Sequence, residues 1–157
     1  MLLESLDGAR LDLSIDSYQF DPTTSPKNHP AWEWDANWLM IRGDARTADD
    51  LRWEFLDPCM TTHEARDLGA WLRIVADPST PLDPGERSFT EPNLEFSVRP
   101  TAPAGYVALA VRFTAECGPK PSRVADTGFV MNLRMPHAAV LDASRQWETE
   151  CAAHPPR

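Results

Sequence analysis

Cysteine, glycine and basic side chains are all in short supply in this 157-residue chain. Its three Cys, at positions 59, 117 and 151, form no Cys-x-x-Cys pair. An odd number of Cys so widely spaced reads as free thiols in a reducing compartment, not as a disulfide framework. The seven Gly are isolated, so no glycine-rich phosphate loop exists. The four His (His29, His63, His137 and His154) fall in loops, at a helix start or in the tail. None is spaced as His-x-His or His-x-x-x-His, and the adjacent His63 and Glu64 point different ways on a helix. No metal site and no cofactor is expected from these patterns. No apolar run approaches the ~20 residues of a membrane span. Met1 to Asp7 has neither a basic start nor a long apolar stretch, so no signal peptide is expected. Fifteen Lys and Arg stand against 24 Asp and Glu, a net charge of −9. Nucleic acid and anionic membrane both need a basic footprint, so neither is expected as the main partner. A basic protein partner is permitted, and a cytoplasmic location is the expectation.

Tryptophan and proline are abundant. Burying one Trp removes roughly 200 Å² from water, worth about 4–5 kcal/mol gross. The six Trp therefore favour a substantial core within one globular domain, residues 1–157. The 15 Pro cluster at segment ends, as in Pro78, Pro81 and Pro84, which predicts well-marked loops.

The chain is organised around the junction Phe55-Leu56-Asp57-Pro58-Cys59-Met60-Thr61-Thr62-His63-Glu64. Pro58 lacks a backbone donor, so the strand before it is expected to end at Asp57. Thr61 reads as a helix N-cap and Glu64 as its capping-box partner. The apolar stripe Ala65, Leu68, Trp71, Leu72, Val75 and Ala76 then predicts a helix stopped by Asp77-Pro78. Alternation predicts strands over Leu11–Phe20, Leu39–Arg42, Leu51–Phe55, Leu94–Val98, Val107–Phe113 and Phe129–Met135, with a short extended piece at 88–92. Pro136 suits the first turn of a closing helix whose buried face is Val140, Ser144, Trp147 and Cys151. Strands, helix, strands, helix, with short turns, predicts an α+β domain: an antiparallel sheet of about six to seven strands covered by two helices.

Candidate chemistry is thin. Cys59 precedes a helix N-terminus near His63, but no third group orients the pair, and a packed thiol is the preferred reading. Asp35, Asp57, Glu91 and Glu95 would form an acidic cluster if they converged. Equally, Asp57 and Glu91, each set before Pro, organise turns through side-chain bonds to backbone. Trp32 and Trp34 share one face of an extended segment, either as an aromatic binding surface or as core.

Four segments occur here in a characteristic order: Asp35-Ala36-Asn37-Trp38-Leu39; Asp57-Pro58-Cys59-Met60-Thr61 with Trp71-Leu72; Ser88 to Phe96; and Phe113 through Glu116-Cys117. Over roughly residues 10 to 150 the chain resembles small bacterial proteins labelled WapI-type immunity proteins. The resemblance implies a non-enzymatic cytoplasmic protein that neutralises a cognate contact-delivered toxin domain. Because many such toxins are basic, an acidic and aromatic surface drawn from Trp32, Trp34, Asp35, Asp57, Glu91 and Glu95 is the candidate contact. Two alternatives stay open: a small-ligand or hydrolase-like domain with a carboxylate pocket near Asp57 and Glu91, and self-association as a homodimer.

Overall fold

A computed structural model describes residues 1–21, 35–80, 84–100, 102–120 and 128–157. Trp32 and Trp34 lie outside them. Among the described residues are eight strands and two α-helices, an α+β fold. The strands are β1 (Leu2–Glu4), β2 (Arg10–Tyr18), β3 (Trp38–Arg46), β4 (Arg52–Thr61), β5 (Arg87–Ser88), β6 (Leu94–Arg99), β7 (Tyr106–Phe113) and β8 (Phe129–Pro136). Helix α1 is Thr62–Val75 and α2 is His137–Ala153. The strands divide into two four-stranded antiparallel meanders, β1-β2-β3-β4 and β5-β6-β7-β8.

The longer strands bury mostly alternate residues: Leu11, Leu13 and Ile15 on β2; Leu39, Ile41 and Ala45 on β3; Leu109, Val111 and Phe113 on β7. Apolar–polar alternation buries one face and leaves the other in water. Gly43, opposite Phe55 on β4, lies beneath that side chain: a Cβ there would sit 2.2 Å from the ring. At the β3–β4 turn Asp50 takes a left-handed φ of 68°, which Asp tolerates better than most side chains.

The expected end of a strand at Asp57 is corrected. Strand β4 runs through Pro58 to Thr61. Leu39 pairs with Met60 and Ile41 with Asp57, so β4 carries one extra residue there. This bulge leaves a place without a ladder hydrogen bond, and Pro58, which has no donor to offer, fits it.

Helix α1 begins as its cap residues require. The Glu64 amide donates to the Thr61 hydroxyl at 3.3 Å, and the Thr61 amide donates to the Glu64 carboxylate at 2.8 Å. Helix α2 packs on α1: the Trp147 indole donates to the Ala65 carbonyl at 2.7 Å and Ser144 to the Gly69 carbonyl at 3.1 Å. Close approach is possible because Gly69 has no side chain; a Cβ there would lie 3.3 Å from Trp147. Val140, Ser144, Trp147 and Cys151 are all buried, as the stripe requires. Two of the places where the sheets meet are a backbone hydrogen bond and an aromatic cluster. Leu6 N–H donates to the Arg134 carbonyl at 2.9 Å, just past β1 and on β8. Trp53 of β4 stacks edge-on against Phe113 and Phe129 of the second sheet, at 5.1 and 5.3 Å between ring centroids. Buried side chains from both sheets and both helices form one continuous cluster.

Candidate functional site

The junction that organises the chain is an internal joint. Glu64 caps α1 and also accepts from the Thr90 amide at 2.6 Å and the Thr90 hydroxyl at 2.7 Å, tying the helix start to the segment before β6. Burial would raise the Glu64 carboxyl, but the donors from Thr61 and Thr90 outweigh it and hold its pKa below the ordinary value. Asn93 donates to Asp57 Oδ2 at 2.9 Å, and Thr114 donates to the Pro92 carbonyl at 2.7 Å. The segments 57–64 and 88–96 are therefore two sides of one hydrogen-bonded seam between the sheets.

Within that seam Asp57, Cys59 and Cys117 converge, all buried, their ligand-capable atoms within 4.8 Å of one another. The Cys117 thiol donates to Asp57 Oδ2 at 3.8 Å. The Trp53 indole holds the Cys117 carbonyl at 2.9 Å. The neighbouring Cys59 thiol, burial, and the Asp57 carboxylate all push the Cys117 thiol far above the usual range. As a free thiol it is protonated and a poor nucleophile.

The other expected site residues are scattered. Asp35 is half-buried, Glu91 exposed and Glu95 half-buried; Asp57 is only 6% exposed and does not reach the surface. None of the four lines either of the two clefts described next.

One cleft, about 300 Å³, is lined among others by Val75, Asp77, Arg99, Tyr106, Val107 and His137. The other is a broad hollow of about 610 Å³ on the solvent side of the first sheet, lined by Glu4, Arg10, Asp44, Arg46, Arg52, Trp53 and Glu54. The register makes this face banded. Arg10, Arg46 and Arg52 stand directly opposite one another across β2, β3 and β4. One step along, Asp12, Asp44 and Glu54 do the same. Directly opposed side chains lie about 5 Å apart at Cβ, and like charges so placed repel.

The two bands differ in how they are satisfied. Arg10 pairs with Asp12 at 3.0 Å and Arg52 with Asp50 at 2.8 Å, while Arg46 donates to the Gly8 carbonyl at 3.0 Å. Farther along the face, Arg42 pairs with Asp16 at 2.7 Å. By contrast Glu4, Asp44 and Glu54 make no hydrogen bond or ion pair among the described residues. The hollow is thus lined by three carboxylates that form no ion pair, set among three arginines. Alternation alone marks these residues as outward-facing; only strand pairing brings them together, which is why the sequence did not single them out.

A search of curated proteins and one of solved structures return no match. The family model described as "Immunity protein WapI-like family" matches residues 1–155. Asp57-Pro58-Cys59-Met60-Thr61 and Ser88 to Phe96, which carry the resemblance, are here the two sides of the joint that fastens the sheets together. With essentially its whole length matched, the chain belongs to the WapI-like immunity protein family.

Proposed function

We propose that this protein acts without catalysis, binding and neutralising a contact-delivered toxin domain in the cytoplasm, and that the solvent face of its first sheet makes the contact. The family match over residues 1–155 carries the reading. Glu4, Asp44 and Glu54, carboxylates without an ion pair set among Arg10, Arg46 and Arg52, support the choice of face. A partner Arg or Lys entering the hollow would relieve the repulsion between Asp44 and Glu54 and find the acceptors it needs. Leu56, 44% exposed on the same strand, adds apolar area beside the charges. The net charge of −9 steers a basic domain toward the protein before contact. A carboxylate pocket shared by Asp57 and Glu91 has no comparable support, since the first is buried against Asn93 and the second is exposed.

The test is co-expression with the toxin domain encoded beside this protein. Growth rescue and co-purification are expected. The D44K/E54K variant is expected to fold normally and to bind at least tenfold more weakly, about 1.4 kcal/mol. Absence of both complex and rescue with every neighbouring gene product would sink the proposal.

A further inference from the structure

We propose that Asp57, Cys59 and Cys117 are the ligands of a site for a thiophilic divalent metal ion, with zinc as the type. The three residues come from two elements that the fold brings together. The bulge in β4 sets Asp57 and Cys59 two residues apart on the inward side, and the 3-10 turn Ala115–Cys117 after β7 supplies Cys117. Ligands around a tetrahedral ion with metal–sulfur bonds near 2.3 Å and metal–oxygen bonds near 2.0–2.2 Å are about 3.4–3.8 Å from each other. Here Cys117 Sγ and Asp57 Oδ2 are 3.8 Å apart and no pair among the three exceeds 4.8 Å. An ion would draw them together by about 1 Å or less, within reach of side-chain adjustment.

The chemistry of the donor set points the same way. Asp57 is 6% exposed, while Cys59 and Cys117 are fully buried. The Asp57 carboxylate accepts from one amide and one thiol, and among the described residues it forms no ion pair. A buried carboxylate so sparsely satisfied is costly unless a cation joins it. Two sulfurs and one carboxylate suit zinc better than the all-oxygen sets preferred by calcium and magnesium. The surrounding groups are also those of a metal site. Asn93 orients the carboxylate from outside, and Trp53 fixes the backbone of Cys117. Water completes the fourth position. Binding one ion converts two thiols to thiolates and releases two protons, so affinity rises with pH. The ion would join β4 of the first sheet to the turn following β7 of the second, a staple across the seam. This inference is independent of the proposed toxin contact, which lies on the opposite side of the first sheet.

The test titrates cobalt(II) into the reduced full-length protein without oxygen. Saturation at one equivalent is expected, with the near-ultraviolet thiolate-to-cobalt charge-transfer band and the visible bands of a tetrahedral ion, both abolished by added zinc(II). The C151S variant is expected to behave as wild type. The C117S variant is expected to lose the charge-transfer band or reduce it by half. The D57N variant keeps the size of the side chain and is expected to bind cobalt at least tenfold more weakly while melting, metal-free, no lower than wild type. A wild type with no charge-transfer band, a band that survives in the C59S/C117S double variant, or a mass two units low from a Cys59–Cys117 disulfide in protein purified with its metal retained would each overturn the proposal.

Discussion

Gly43 shows how a single missing methyl group is built into the fold. The Phe55 ring occupies the space its Cβ would take, at 2.2 Å. Gly43→Ala must displace that ring, which also packs against Phe113 at 6.2 Å between centroids. Overpacking of this kind costs about 1–3 kcal/mol, expected as a lower denaturant midpoint with an unchanged slope. Glu64 makes a second residue-scale prediction. Its folded pKa lies below the ordinary 4.5. The stability it contributes is therefore fully present above about 4.5 and is lost as pH falls through the lower, folded value. E64Q is expected to be less stable than wild type by about 1 kcal/mol at neutral pH, the size of a lost helix cap. Chemical denaturation across the acid range should show that gap closing below 4.5. A gap that stays constant into strong acid would mean that the ionised carboxylate is not the group responsible. The capping pair Thr61 and Glu64 was legible in the sequence because both residues belong to one local turn. The bonds from Thr90 were not, since 26 residues separate it from Glu64.

Helices α1 and α2 make one unit with two kinds of contact. Inside, Trp147 and Ser144 bond to carbonyls of α1; outside, Arg73 and Glu148 form an exposed ion pair. The buried contacts dominate, because exposed pairs are screened and contribute little. W147F keeps most of the apolar volume but removes the indole donor to Ala65, and a loss of about 1–2 kcal/mol is expected in thermal or denaturant unfolding. R73A should change stability far less than W147F, and the reverse order would refute this ranking. The stripe Val140, Ser144, Trp147 and Cys151 could be read from periodicity alone, since one face of a helix follows from 3.6 residues per turn. Strand β4 was harder. A bulge depends on the partner strand, so the passage of the sheet through Pro58 has no local signature.

At the scale of the whole molecule, charge is expected to govern association more than stability. The association rate with a basic toxin domain should fall as ionic strength rises, since the steering field is screened over a Debye length of about 8–10 Å. Stopped-flow measurement in a salt series would check this, and a rate indifferent to salt would argue against electrostatic steering. The D44K/E54K variant is expected to flatten that salt dependence while leaving the unfolding midpoint within about 0.5 kcal/mol of wild type, as exposed substitutions do. The net charge was plain in the sequence. That Glu4, Asp44 and Glu54 share one hollow was not, because they are brought around it only by the register of four strands.

Local order was decided by the sequence alone. Alternation set which strand residues turn inward, a capping box and a terminating Asp-Pro bounded α1, and the acid excess set the sign of the net charge. These properties depend on neighbours within a few positions of the chain, and such neighbours are written side by side. Tertiary structure decided the rest: the division of eight strands into two meanders, the seam from Glu64 to Thr90 and from Asp57 to Asn93, the meeting of Cys59 with Cys117, and the charge bands. Each of these joins residues far apart in sequence, and which distant residues meet is settled by the free energy of packing the whole core rather than by any short stretch of it.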